Sequence, residues 1–596
     1  MKSNRFLLPI LAALLLFLPR IISAQTEAEL NYTGQVTAEE SGESLIGVNI
    51  LILRTGSGVQ TDFDGYFELT ARPGDSIRLS YIGYETIEFQ LGLDTELHFN
   101  MVSANQMLEE IIVVGYGTQR QRDLTSSITT VNAEEIMKTP TAQAMQSLQG
   151  KVAGMQIVSS GAPGSAPKVR VRGIGSYPGS DNEAPLYVVD GMFFDNIDFL
   201  NTSDIATISV LKDASAAAIY GVRAANGVVL IETKSGNLNQ PAQITYNGYY
   251  GMQVANDVLK MANAEQFVQI ISELDPNRFP DYQFVLNAMQ RYGRSRINPN
   301  VPDVNTDWYS EIMRPASIQN HSISVTGGGS QATYSLGANY FGQDGILDMK
   351  NEFQRFNLRS KVDYQALDWL KLGGNMIMSN GTKYSPENTA WFRAYFAVPI
   401  LPVFDDQIEG AFPDPYASAQ YLGYRGGQNP FPAMDYNDNK EKIRKILANF
   451  YVEVDLIPDR LKFRTSYNHN FTALDLRNVN LPYFSSAGFQ NPDAAISRTW
   501  SNFSNQIWDN LLTYNNQFGQ HGITLMGGTS YRDEAYSQLR AQARNFPSDR
   551  EEAWYLDQAE TIVVDAVGDN GSHQYGLSYF GRLSYNFAHK YLLYGT

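Results

Sequence analysis

The residues with the clearest chemical capacity act through backbone and charge. Residues 105–119 read NQMLEEIIVVGYGTQ, with Glu109 and Glu110 ahead of the run Ile111, Ile112, Val113, Val114, and Gly115 and Tyr116 after it. A β-branched run between polar flanks suits addition of a strand to another protein's sheet edge, where backbone hydrogen bonds give affinity with little demand on side chains. The competing reading is a resident strand paired within its own domain. Farther on, Arg170 and Arg172 alternate with Val169 and Val171. That spacing sends both guanidinium groups from one face of a strand, where carboxylates of a surrounding wall would pair with them. Asp62 and Asp64 before Gly65 have the start of a calcium loop, but Phe67, Glu68 and Leu69 run straight into a strand and no Glu closes twelve residues. An Asp-Gly turn is expected instead.

Enzymatic signatures are absent from the chain. It holds no G-x-S-x-G, no H-E-x-x-H and no G-x-x-x-x-G-K-[ST], and its six His residues are scattered without ligand spacing. No catalytic residue, metal site or cofactor is expected. A net charge of -17 argues against nucleic acid, whose phosphates reward clustered Lys and Arg.

The elements that position these residues fall in sequence order. Lys2 and Arg5 precede an apolar run over residues 7–18, too short to span a bilayer, and Ser23-Ala24 follows. Residues 1–24 therefore read as a secretory signal peptide cleaved between Ala24 and Gln25. There is no cysteine, which excludes lipid attachment at cysteine and disulfide staples. Residues 30–103 are short strands with turn signals, the pattern of a small all-β sandwich. Residues 120–236 mix α and β: a helix over 141–149, strands broken by Gly, then SDIATISVLKDASAAAIYGVRAANGVVLIETK at 203–234, read as strand, Ala-rich helix, Gly turn and strand.

From residue 240 to 596 the period is two. Leu336, Phe356, Leu358, Val362 and Tyr364 share one face, and Asn339, Arg355, Asn357, Arg359 and Lys361 the other, as strands with lipid outside and water inside require. On this pattern Arg at Leu336 or Leu358 is harmful, and Arg at Asn339 or Asn357 is tolerated. Short links at 328–330, 365–368, 457–460, 518–521 and 588–590 alternate with long ones at 254–318, 342–352, 380–444, 472–504 and 532–573, the asymmetry of periplasmic turns and external loops. About ten strands are expected, with an eleventh starting at Tyr591. An open edge in lipid leaves backbone groups unsatisfied, so a barrel incomplete at its C-terminus is expected.

The segments LQGKVAGMQI, VRVRGIGS, PLYVVDG and LKDASAAAIYG resemble, in this order, the plug of TonB-dependent outer-membrane transporters of the SusC/RagA branch. The residues that carry the likeness are Arg170, Arg172, Gly173, Asp190, Gly191, Lys212, Asp213, Tyr220, Gly221, Arg223, Asn226 and Gly227. Residues 30–103 likewise resemble the carboxypeptidase-regulatory-like domain that precedes such plugs. The resemblance implies a β-rich multi-domain fold: small β-sandwich, TonB box at 109–116 within 105–119, mixed α/β plug at 120–236, and at 240–596 about 10–11 strands of a transmembrane antiparallel β-barrel of roughly 22. It implies import of oligosaccharides or peptides across the outer membrane of a Gram-negative bacterium, Sec export, contact with outer-membrane lipids, a SusD-like surface lipoprotein as lid, and energy from a TonB-ExbB-ExbD complex. The alternative is a surface binding or adhesion protein without active transport. A hydrolase is suggested only by the name of the first domain, and the missing zinc ligands weigh against it. Trp391, Phe392, Tyr395 and Phe396 in the 380–444 loop offer either stacking surfaces for sugars or part of an interfacial aromatic girdle, the reading preferred here.

Overall fold

The computed structural model describes residues 29–596 except 40–41, 82, 103–110, 114–117, 121–126, 140, 142, 174, 176–182, 275–278, 386–388, 425, 547–549 and 589. Ala24 and Gln25 of the expected cleavage site lie outside the described residues. The chain divides into two compact units, Met1–Ile111 and Ile112–Thr596.

The first unit is a sandwich of two sheets. Leu30–Ala38 lies between Tyr66–Ala71, antiparallel to it, and Glu96–Met101, parallel to it. The other sheet runs Gly58–Gln60, Asn49–Ile52, Ser76–Ser80, Ile87–Gln90. Alternation decides which faces meet: Tyr32, Val36, Phe67, Leu69, Leu97 and Phe99 from one sheet and Ile50, Ile52, Ile77 and Leu79 from the other are buried in one core. Gly34 is required there, since a Cβ would stand 2.3 Å from the Leu97 carbonyl oxygen. Asp62 accepts from the backbone N–H of Asp64 at 3.0 Å and of Tyr66 at 2.8 Å, and Gly65 takes φ 76°. This is the expected Asp-Gly turn.

Asp75 is the buried carboxylate of this sandwich. It accepts from Arg54 Nε at 2.6 Å and Nη2 at 2.8 Å and from the Arg72 backbone N–H at 3.0 Å. The Arg54 hydrogen bonds pull its carboxyl down to about 2, against a smaller opposing effect of burial. A depressed folded value means that the contribution is complete above about pH 4 and is lost as pH falls through about 2. We expect residues 25–103, produced alone, to fold as a soluble monomer and to lose stability over that window in urea titrations, with the acid-dependent part missing in Asp75→Asn.

The second unit contains a wall of eleven antiparallel strands. In chain order they are Gln243–Gln253, Ala316–Gly328, Ala332–Asp344, Glu352–Leu367, Leu370–Tyr384, Asn437–Ile457, Leu461–Asn480, Ala495–Phe518, His521–Arg544, Gly568–Phe587 and Tyr591–Gly595, each paired with the next. Among the described residues the first and last of these have one neighbour each. Connections alternate short and long as the pattern expected, but the strands run farther outward: the sixth has 21 residues, where about 9–11 cross a bilayer. Over that added length the two faces no longer divide into apolar and polar, so the period fades from the sequence while backbone pairing continues.

The two faces of the wall divide as the alternation requires. Leu336, Phe356, Leu358 and Val362 are 44–48% exposed on the outer face, and Asn339, Arg355, Asn357 and Arg359 are 2–3% exposed on the inner. The contacts at the inner positions narrow the expected tolerance of Arg there to insertion alone. Asn357 donates to the Phe199 carbonyl at 2.7 Å and Asn339 to Asn320 Oδ1 at 2.7 Å, so this face holds packed protein rather than open water. Arg at Leu336 or Leu358 should cost about 2–4 kcal/mol near the bilayer midplane and lower the fraction inserted. Asn339→Arg and Asn357→Arg should insert but render the inserted domain protease-sensitive, because the larger side chain has no room. Equal protease resistance of the Asn variants and the parent would refute that packing.

Within the wall sits a five-stranded sheet in the order Ile128–Asn132, Ile205–Leu211, Val228–Thr233, Leu186–Val189, Met192–Phe194. Only the pairing of Val228–Thr233 with Leu186–Val189 is parallel. Its core includes Ile136, Leu148, Phe199, Ile208 and Ile231, and wall residues Ile377 and Leu447 join it. The expected helix over 141–149 is a 3₁₀ segment, Ala144–Leu148. On the side of the long connections, Ala264–Glu273, Phe279–Tyr292, Trp308–Ile312 and Ala390–Phe396 pack as helices around Phe284, Trp308, Ile312, Ile400 and Leu401.

Candidate functional site

The site is the seam between the inserted domain and the inner face of the wall. Asp190 is its hub. It and Gly191 form the turn between Leu186–Val189 and Met192–Phe194, with φ 47° and 86°. The Asp190 carboxylate accepts from the Thr233 N–H at 3.1 Å and hydroxyl at 2.6 Å within its own domain, and from Lys361 Nζ at 3.2 Å and Asn375 Nδ2 on the wall. Next to it Arg359, 1% exposed at its side chain, donates to Asp204 Oδ1 at 3.2 Å, the Lys234 carbonyl at 2.7 Å and Ser335 Oγ at 2.8 Å. Arg355 donates to the Asp198 carbonyl, and Lys445 to the Asp198 carboxylate and to Asn196 at 3.1 Å. In these contacts the wall contributes cations and amides, and the domain contributes carboxylates and carbonyls.

The other motif residues build the inserted domain. Asp213 caps Ala214–Ala217, accepting from the Ala216 N–H at 2.8 Å, and its second oxygen accepts from the Ser127 N–H at 2.7 Å. Lys212 donates to Thr129 Oγ1 at 2.7 Å and to the Ala153 carbonyl at 3.2 Å. Together these two residues fasten the edge strand Ile128–Asn132 to the sheet. Gly221 has φ 68° and ψ -156°, a region only glycine occupies comfortably, and it turns the chain so that Ile219 and Tyr220 pack against Leu511, Met526 and Phe580 of the wall. Arg223 reaches Asp195 at 2.9 Å and Glu534 of the wall at 3.5 Å. Asn226 and Gly227, the latter at φ 89°, lead into Val228–Thr233.

Two expectations fail here. Arg172 leaves the strand Lys168–Val171, adopts φ 55° ahead of Gly173 at 93°, and is not on the face of Arg170. Arg170 pairs with Glu183 of its own domain at 2.6 Å, not with the wall. The pattern V-R-V-R carried no sign that the turn begins at its last residue. Conversely, Asp198, Asp204, Asn375 and Lys445 of the seam were missed, since their partners lie more than a hundred residues away in sequence. The inward charges Arg355, Arg359 and Lys361 were the available signal.

Of the strand-addition segment, Ile111–Val113 is a strand paired with Thr118–Arg120 in a separate two-stranded sheet. Glu109, Glu110, Val114, Gly115 and Tyr116 lie outside the described residues. Trp391, Phe392, Tyr395 and Phe396 stand on the helix Ala390–Phe396, which is anchored through buried Ala390 and Ala394; Phe392 is 64% exposed and its ring lies tilted against Phe396, with centroids 4.6 Å apart. They belong to the loop cluster and not to a strand of the wall, which departs from the girdle reading.

Removing Arg359 alone leaves Asp204 buried without its counter-charge, a change that costs roughly 3–5 kcal/mol, whereas replacing both by apolar groups of similar volume is far milder. We expect Arg359→Met to lower the urea midpoint for protease exposure of the inserted domain and Arg359→Met with Asp204→Leu to restore most of it. Equal loss in both would show that the pair is not the cause.

Comparison with known proteins bears on this arrangement. Residues 120–228 match the family described as TonB-dependent Receptor Plug Domain, and residues 32–113 match the CarboxypepD_reg-like domain. TonB-dependent receptor P3 of Formosa agariphila is 31% identical over 99% of this chain and 56% of its own length. TonB-dependent receptor SusC of Bacteroides thetaiotaomicron is 27% identical over 99% of this chain and 58% of its own. The chain thus spans a little over half the length of these curated relatives. Among solved structures, the RagAB peptide importer in its 'open-open' state is similar in fold, with a TM-score of 0.66, 24% identity, and coverage of 80% of this chain and 55% of that one.

Proposed function

We propose that the chain is a SusC/RagA-type TonB-dependent receptor, one of a family of receptors and not of enzymes, and that it takes part in active import across the outer membrane. In this reading residues 1–24 direct Sec export, 30–103 form the regulatory-like domain, 105–119 carry the TonB box at 109–116, 120–236 are the plug, and 240–596 are barrel wall. The cargo is an oligosaccharide or a peptide, captured with a SusD-like surface lipoprotein, and the work is done by a TonB-ExbB-ExbD complex. The observation that carries the reading is the polar seam: a folded domain held inside a strand wall by side-chain ion pairs and hydrogen bonds, with Asp190 and Asp204 at its centre.

The geometry gives such a machine a sensible point of attack. Beyond the pairing of Ile111–Val113 with Thr118–Arg120, the first strand of the five-stranded sheet that a pull along the chain reaches is Ile128–Asn132, an edge strand whose one strand neighbour among the described residues is Ile205–Leu211. Lys212 and Asp213 fasten that edge, so they set the resistance the pull meets first. Strands at an edge open before the interior of a sheet does.

Proline at Ile112 or Val113 removes a backbone donor and cannot sit in a paired strand. We expect Ile112→Pro and Val113→Pro to abolish uptake of the cognate oligosaccharide or peptide and to leave its binding at the cell surface unchanged. Normal import by an inserted Pro variant would overturn the TonB-box assignment.

A further inference from the structure

We propose that the outer face of the wall carries a binding site for a phosphorylated lipid headgroup of the outer leaflet; this rests on the outer-membrane reading above. The sixth strand divides its side chains cleanly. Lys445, Leu447 and Asn449 point inward and are buried, Lys445 against Asp198. Lys440, Lys442 and Arg444 occupy successive outward positions, and Ile446, Ala448 and Phe450 continue the same face. Register places Met378 beside Ile446 on one neighbouring strand and Phe471 beside it on the other. The three cations therefore begin where the apolar face ends.

That transition lies at the right height for headgroups. Ile446 stands 11 residues along the strand from the inner turn at Ile457. At about 3.3 Å per residue and the usual barrel tilt this spans roughly 25–30 Å, against an apolar band of about 25 Å. Lys442 and Arg444 stand just above it.

The link between the ninth and tenth strands folds over this outer face. Its Trp554, 5% exposed, packs with Val479, Ile496, Ala543 and Phe546. Beneath it opens a cleft of about 330 Å³ whose walls include Lys440, Lys442, Asp475, Arg477, Arg498 and Glu551. Most of these charges are used in holding the link. Arg477 donates to Asp438 at 2.8 Å and Glu551 at 3.0 Å, Lys440 donates to Glu551 at 3.1 Å, and Arg498 lies 3.6 Å from Asp475. Among the described residues, Lys442 and Arg444 have no carboxylate within ion-pair distance, and Arg498 Nε is buried without a hydrogen-bond partner although its guanidinium lies over Trp500 at 5.2 Å. Lys442, which faces Asp475 across the ladder without an ion pair, and the exposed Arg444 stand directly over an apolar wall and suit an anion that brings acyl chains with it. A phosphate on a lipid meets both demands, since Ile446, Met378 and Phe471 supply the seat for its chain.

The test titrates the purified protein in detergent with a diglucosamine lipid carrying two phosphates, with the same lipid dephosphorylated, and with inorganic phosphate, counting bound lipid by native mass spectrometry. The bisphosphorylated lipid should bind at concentrations about tenfold lower than the dephosphorylated one. Lys442→Gln with Arg444→Gln should bring the two within about twofold, and Lys442→Arg with Arg444→Lys should keep the preference. Equal binding of both lipids, a preference untouched in the Gln variant, or inorganic phosphate competing at the lipid's own concentration would each overturn the proposal. Fractionation of the cells is read separately: a parent protein missing from the outer membrane refutes the location, whereas an inserted protein without headgroup preference refutes this site alone.

Discussion

Backbone polar groups have no partner in hydrocarbon, and this constraint shapes most of the molecule. A chain that crosses lipid as strands must pair each strand with its neighbours, and pairing at a two-residue period gives every strand one face for lipid and one for the interior. The wall follows that rule from Gln243–Gln253 to Tyr591–Gly595. Because the outer face takes Leu336, Leu358 and Phe450, the inner face is left with Asn339, Asn357, Arg359 and Lys445. Whatever fills the interior must then meet amides and cations.

The inserted domain meets them with Asp190, Asp198, Asp204 and the Phe199 carbonyl. A seat made of polar contacts differs from an apolar core in how it yields. Each buried charge is costly when left alone, yet a pair exposed to water as it separates exchanges its partner for solvent and gains little or loses little. Such a seam is stable while dry and closed, and it opens with modest loss once water enters. The apolar core of the domain, built on Ile208, Ile231 and Phe199, has no such exchange available and stays together. The two kinds of packing thus separate a body that holds its fold from a joint that can be worked.

The same division of faces continues outside the lipid band. There the link carrying Glu551 and Trp554 is held to the outer face by charge, through Lys440 and Arg477, and by the packing of Trp554 with Val479, Ile496 and Ala543. The external helices instead bury an apolar core of their own around Phe284 and Trp308. Loops of this length need such anchors to be ordered, and this chain uses both kinds.

The sequence by itself determined whatever depends on local period and local geometry. The alternation at 332–364 gave the two faces, the positions of the short links gave the alternation of turns, and Asp62-x-Asp64-Gly65 gave a turn rather than an ion site, because each follows from neighbours a few residues apart. Only tertiary structure decided which inward polar groups meet which partners: Arg359 lies 155 residues from Asp204 and Lys361 171 from Asp190. No periodicity encodes such a meeting. The pairing of Arg170 with Glu183, the departure of Arg172 from its strand, and the crowding at Asn339 and Asn357 arise from the same cause, since a polar position reads alike in sequence whether it faces water or a packed neighbour, and only the folded chain says which.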